Sequence, residues 1–182
     1  YFILSALICL IFYKATRREI SVSLKNSFHK IKWPFIALLF AFAFVQLLVI
    51  SPNNSSGLPG IPALLAESIS SVAKNAYIFI SPFIGAFGAF ISGSNTVSNL
   101  LFGLLQSETA KALGISIALI LSLQVAGGAA GNMIAVHNVI AANSVVGLKN
   151  SEGKVLRKTI LVAIAYALIL GIVGFVLARF MT

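Results

Sequence analysis

The 182-residue chain contains no aspartate, one cysteine and only four acidic side chains, all of them glutamate. Charged residues make up 9% of it, against about a quarter in an ordinary soluble domain. Cys9 alone closes no internal disulfide, which excludes a disulfide-stapled secreted scaffold. Two histidines and one cysteine give no metal-ligand spacing, and there is neither a Gly-Lys-Ser phosphate loop nor a carboxylate pair in the apolar stretches. The sequence therefore argues against an enzyme and calls for no metal and no cofactor. What it does hold is 59% hydrophobic residues, with a mean hydropathy of +1.01. That composition belongs to an all-α polytopic membrane protein whose first partner is the lipid bilayer.

A net charge of +9 resembles a nucleic-acid signal until its location is considered. Lys14, Arg17, Arg18, Lys25, Lys30 and Lys32 stand against Glu19 alone in one cluster. Lys149, Lys154, Arg157 and Lys158 stand against Glu152 in a second. The segment 51–62 between the first two apolar regions carries no charge. Short loops that alternate basic and neutral follow the positive-inside pattern. The basic loops 14–32 and 149–158 are thus expected in the cytoplasm, with no nucleic-acid partner.

Span lengths refine the picture. Segment 1–13 is apolar throughout but would reach only about 20 Å as a helix, short of a hydrocarbon core of about 30 Å. It is expected to be the cytoplasmic half of a span beginning before residue 1, making the chain the C-terminal part of a longer protein. Segment 33–50 is a full span with Trp33 at the interface, and 159–179 is another, bounded by Arg157 and Lys158. Segment 63–78 is amphipathic, with Leu65, Ile69, Val72 and Ala76 on one face, and is expected at the interface.

Between them lie two long uncharged stretches, 75–107 and 112–148, the second with His137 as its one histidine. Each is too long for one straight span and too short for two, and each carries a polar, helix-breaking knot: Ser92-Gly-Ser-Asn-Thr96 and Ala126-Gly-Gly-Ala-Ala-Gly-Asn132. The economical solution is a re-entrant hairpin over 81–106 turning at the first knot, then a broken span over 112–148. The latter consists of half-helices 112–125 and 133–146 with unwound backbone between. Parity agrees, since a hairpin plus one crossing joins the outer loop 51–62 to the inner loop 149–158.

Non-helical backbone at membrane depth persists only where protein or a water-filled cavity satisfies it. Secondary transporters use such breaks to present half-helix N-termini to anionic substrates and free carbonyls to cations. Ser94 and Asn95, with Thr96 offering N-cap chemistry, are the candidate substrate or coupling-ion ligands at the hairpin tip. Gly127, Gly128, Gly131 and Asn132 would supply facing unwound backbone. The competing account is that small residues serve helix packing, which Gly127-xxx-Gly131 and Gly85-xxx-Ala89 suit well. His137 is open to two readings, a proton-coupling group or a structural hydrogen bond.

Ser81-Pro-Phe-Ile-Gly-Ala-Phe-Gly-Ala-Phe-Ile-Ser-Gly-Ser-Asn-Thr-Val-Ser-Asn-Leu-Leu-Phe-Gly-Leu-Leu-Gln106 closely resembles a segment of the L-lactate permease family. So do Gln124-Val-Ala-Gly-Gly-Ala-Ala-Gly-Asn-Met-Ile134 and the residues following as far as about 160. The chain departs from the family pattern at Asn132 and at Val136-His-Asn138, where many members carry Lys and a Pro-Gln-Ser run. The resemblance implies a multi-pass protein of the bacterial or archaeal cytoplasmic membrane, a proton symporter for lactate and glycolate. It implies one half of an inverted-repeat transporter, with distant likeness to the ion-transporter superfamily. The alternatives are a sodium-coupled carrier of other organic anions and a non-transporting membrane subunit. The topology is testable with single cysteines at Ser55 and Ser151 in a Cys9-free background. Ser55→Cys should label from outside intact cells and Ser151→Cys only from inside; labelling of both from one side contradicts the hairpin-plus-one-crossing order.

Overall fold

A computed structural model describes residues 2–148 and 151–181, and all regular structure among them is helical. The Trp33 side chain, expected at an interface, and Lys149, counted in the second basic cluster, lie outside the described residues. The chain divides into two compact units, residues 1–40 and 41–182.

In the first unit, α1 (Phe2–Phe12) ends where Lys14 takes a left-handed φ of 48° and Ala15 N–H donates to the Leu10 carbonyl at 3.1 Å. Helix α2 (Arg17–Ile50) then starts on a reciprocal cap. Thr16 N–H and Thr16 Oγ1 donate to Glu19 Oε2 at 2.8 and 2.7 Å, while Glu19 N–H reaches Thr16 Oγ1 at 3.4 Å. These two donors, the backbone amide first, hold the Glu19 carboxyl below its ordinary pKa. The cap explains a departure from expectation: the basic segment is helical from Arg17 onward, not a loop.

The second unit begins within α2 and continues through α3 (Ile61–Ala73), a 3-10 turn at Lys74–Ala76, α4 (Tyr77–Ser92), α5 (Asn95–Leu113), α6 (Ile117–Ile134), α7 (Val136–Val145) and α8 (Glu152–Met181). Helices α4 and α5 form a hairpin that turns at Gly93–Ser94, inside the first polar knot as expected. Gly93 sits at φ 64°, donating its N–H to the Ala89 carbonyl at 2.7 Å. Both arms overrun the expected 81–106, by four residues at the start and seven at the end.

The second knot behaves differently from its expectation. Residues 126–132 are not unwound; α6 runs through them to Ile134, and the break falls at Ala135 alone, with φ −62° and ψ 127°. Nor do 112 and 113 begin the broken span, since α5 extends to Leu113 and stops at Gly114. The glycines stay helical because α4 crosses directly over them. A Cβ on Gly127 would stand 2.0 Å from the Pro82 carbonyl oxygen, and one on Gly131 would stand 1.8 Å from that of Ala86. Gly85 returns the approach from α4, 2.2 Å from the Gln124 carbonyl oxygen by the same measure. Close packing of this kind offsets the poor intrinsic helicity of glycine, about 1 kcal/mol per residue.

Helix α8 seats a stripe of small residues, Ala163, Ala167, Gly171 and Gly174, on the unit. Gly171 meets Phe79, and Gly174 meets Leu123 and Ile78. The Phe79 and Phe175 rings lie 5.6 Å apart, and the Arg179 guanidinium covers Phe175 at 5.4 Å. The core gathers Tyr77, Ile78, Ala110, Leu119, Ile120 and Leu123. Helix α3 packs against α5 through Pro62 and Ala66, with Ile69 and Ala73 half-buried. Of the expected apolar face, Ile69 is half-buried, while Leu65, Val72 and Ala76 are exposed.

Among the described residues, two helices, Ile117–Ile134 and Glu152–Phe180, are long and apolar enough to cross a bilayer, and Ile61–Ala73 and Tyr77–Ser92 are shorter apolar helices. Gly127→Ala forces the α4–α6 crossing apart and should destabilise the protein by about 1–3 kcal/mol. Gly103→Ala on α5, where a Cβ meets open space, should be neutral or gain up to about 1 kcal/mol. Thermal melting of the detergent-solubilised protein checks both; equal melting points contradict the crossing.

Candidate functional site

The hairpin tip and the α6–α7 break meet. The His137 imidazole lies against Gly93 so closely that a Cβ there would stand 1.6 Å from its Cε1 and Nε2. Next to it, the Asn138 amide donates to the Asn132 carbonyl at 3.0 Å, to Asn132 Oδ1 at 2.8 Å and to the Gly93 carbonyl at 3.5 Å. One asparagine thus stitches the end of α6, the start of α7 and the turn of the hairpin together. It satisfies carbonyls that the break at Ala135 leaves open.

On the other side of the turn, Ser94 caps α5 by accepting from Val97 N–H at 3.4 Å, so the cap is Ser94 and not Thr96. Ser92 Oγ donates to the Gly88 carbonyl at 2.7 Å and to the Ser94 carbonyl at 3.1 Å, which braces the turn. Asn95 leans on α6. Its amide nitrogen donates to the Val125 carbonyl at 3.1 Å, and its Oδ1 is buried against Gly128, where a Cβ would stand 2.0 Å away. That oxygen accepts no hydrogen bond from the described residues.

Of the expected site residues, Ser94, Asn95, Gly128, Asn132 and His137 therefore adjoin the tip. Gly127 and Gly131 face α4 instead, and Thr96 is exposed one residue beyond Asn95. None of Gly127, Gly128, Gly131 and Asn132 lies in unwound backbone. Four helix ends converge here: the C-termini of α4 and α6, and the N-termini of α5 and α7. N-termini present N–H groups and partial positive charge, and C-termini present carbonyls and partial negative charge. The arrangement brings N–H donors and carbonyl acceptors to one junction without a lysine or arginine. Among the described residues, no cluster of His, Cys, Asp or Glu is suited to a metal ion.

Behind the tip lies a buried polar chain that the sequence reading passed over. Tyr77 Oη donates to Gln106 Oε1 at 2.7 Å; Gln106 Nε2 donates to the Ser81 carbonyl at 3.1 Å and to Gln124 Oε1 at 2.8 Å. Gln124 Nε2 reaches Ser98 Oγ at 3.1 Å and Asn99 Oδ1 at 3.3 Å, and Ser98 Oγ donates to the Gly85 carbonyl at 2.8 Å. The signal was present: Asn95, Ser98, Asn99, Gln106 and Thr109 fall on one face of α5 at helical spacing.

Such a unit is an all-α membrane protein with its polar groups drawn inward to one junction. The sequence pattern of the L-lactate permease family matches residues 1–181. A putative L-lactate permease of Haemophilus influenzae is 38% identical over 168 residues, which is 92% of this chain and 31% of that protein. The glycolate permease GlcA of Escherichia coli is 34% identical over 79% of the chain and 24% of its own length. An L-lactate permease of Bacillus subtilis is 33% identical over 83% and 25%. The chain belongs to the L-lactate permease family, a family of permeases and not of enzymes. It spans about a third or less of the length of these relatives. No solved structure matches it significantly.

The packing of His137 on Gly93 makes a double-mutant cycle informative. Gly93→Ala should destabilise by more than the ~1–2 kcal/mol of a left-handed alanine, because the methyl displaces the ring. In a His137→Ala background the cost should fall to that level. Chemical or thermal unfolding of the four proteins checks this; strict additivity would mean that the ring does not occupy the space above Gly93.

Proposed function

We propose that the protein carries 2-hydroxymonocarboxylates, lactate and by similarity glycolate, across a bacterial or archaeal cytoplasmic membrane in symport with protons. The observation that carries this reading is the convergence of four helix ends at Gly93, with Asn95 and His137 on either side of the turn. A monocarboxylate would lie near the first turns of α5 and α7, its charge balanced by N–H groups and dipoles. Ser94, Asn95 and Thr96 on the hairpin, and Asn132 across from it, are its candidate ligands. Gly128 lets α5 approach; Gly127 and Gly131 let α4 approach, and they serve the substrate indirectly. His137 is the titratable group at the tip and the candidate proton carrier. The helices would form a multi-pass bundle in which the α4–α5 hairpin is re-entrant and α6 with α7 crosses once, as half of an inverted repeat.

A second reading is favoured by one observation. The unpartnered Asn95 Oδ1, buried against Gly128, offers an oxygen to a cation. A sodium-coupled carrier of organic anions would use the same junction. Uptake of labelled lactate and glycolate, by the protein expressed from its complete reading frame in vesicles, separates the two. Uptake should follow an imposed proton gradient without sodium; uptake that needs sodium and survives collapse of the proton gradient selects the second reading. Asn95→Ala removes an amide from a buried polar site, at about 1–3 kcal/mol, and should weaken lactate transport roughly 5- to 150-fold at normal membrane abundance. Ser55→Ala in the loop before α3 should be near neutral. Wild-type kinetics for Asn95→Ala would place the substrate elsewhere.

A further inference from the structure

We propose that Gln124 is a positioning residue, and that it sets substrate affinity by holding the hairpin tip in register on α6. It touches neither the turn nor the break; it acts through α5. Its side-chain nitrogen reaches Ser98 Oγ and Asn99 Oδ1, one turn along α5 from Asn95 and on the same face. Its own backbone carbonyl packs on Gly85 of α4. The next residue, Val125, supplies the carbonyl that receives the Asn95 amide, and one turn on, Gly128 receives the buried Asn95 oxygen. Gln124 thus fixes α5 immediately before the point where Asn95 engages α6.

The surroundings sharpen the role. Gln124 is 1% exposed, and Ser98 and Gln106 are fully buried, so no water competes for its donors. Gln106 occupies the Gln124 acceptor and leaves the nitrogen of Gln124 directed at α5. This orients the amide in one sense only. Were the register between α5 and α6 to slip, Asn95 would lose the Val125 carbonyl and its oxygen would leave the space that Gly128 provides. Tyr77 at the far end touches Gln106 but not the tip, so its hydroxyl contributes to cohesion alone.

The proposal rests on the carrier reading, and its test separates the two. The protein is expressed from its complete reading frame with Cys9 replaced by Ser. Spin labels go on Leu100 of α5 and Met133 of α6, both exposed. Gln124→Met keeps the side-chain length and removes the donors. It should raise the half-saturation concentration for lactate counterflow about tenfold, leave the maximum rate per membrane-inserted molecule within twofold, and broaden the Leu100–Met133 distance distribution. Tyr77→Phe should leave half-saturation and distance as in the wild type.

A wild-type half-saturation and distance in Gln124→Met overturns the proposal. So does an equal rise in Tyr77→Phe, or a fall in maximum rate alone, since a general brace would give those. If the wild type moves no lactate, the carrier reading fails, and the distance decides the register by itself: broadening supports it, no change overturns it. If Gln124→Met does not reach the membrane, Gln124→Glu replaces it. A neutral carboxylic acid there both donates and accepts, and its anion only accepts, so the variant-to-wild-type ratio of half-saturation should climb as pH rises. A flat ratio overturns the proposal.

Discussion

A helix that ends away from water leaves carbonyls or N–H groups that something must satisfy. Four helices of this protein end around Gly93, and the residues there answer that demand. Asn138 takes up the carbonyls of Asn132 and Gly93, Ser94 caps α5, and Ser92 braces the turn. On the proposed reading, the amides and hydroxyls that close the junction would also meet a small carboxylate, with no lysine or arginine beside it.

The inside of the second unit is correspondingly polar for so apolar a chain. Ser81, Ser98, Gln106, Thr109, Gln124 and Asn143 are buried, while Leu161, Val162 and Ile169 of α8 stand more than half exposed. In water that distribution would be unstable; against hydrocarbon it is expected. Hydrogen bonds between α4, α5 and α6 are directional and specify one alignment, which packing of alkyl groups against lipid-like surroundings alone would not.

The hairpin was legible because Gly93 and the Ser94–Asn95 pair are turn and cap residues in an otherwise helical run. The break in α6 was not, and the reason is physical. Glycine lowers intrinsic helicity, so a run holding Gly127, Gly128 and Gly131 reads as unwound; helix crossing reverses that preference by rewarding the missing Cβ. Ala135, where the backbone does break, sits between Ile134 and Val136 with no local breaker. Asn138 bridges it, donating to Asn132 across the break and to the Gly93 carbonyl of the hairpin. Ser94, Asn95 and His137 stood out because polar residues amid apolar sequence need partners, and the structure brings all three to the hairpin turn.

Helix α8 adds a different kind of attachment. Its buried Ala163, Ala167 and Gly171 recur every four residues, about 6 Å along the axis. A smooth, evenly spaced track of this sort has no single preferred seat, because a shift of about one turn brings a similar small residue over the same groove. The choice among seats falls to the Phe79–Phe175 ring pair and to Arg179 above it. α8 is therefore indexed at one end, like a sliding rule with a single detent, while α4, α5 and α6 are locked along their length.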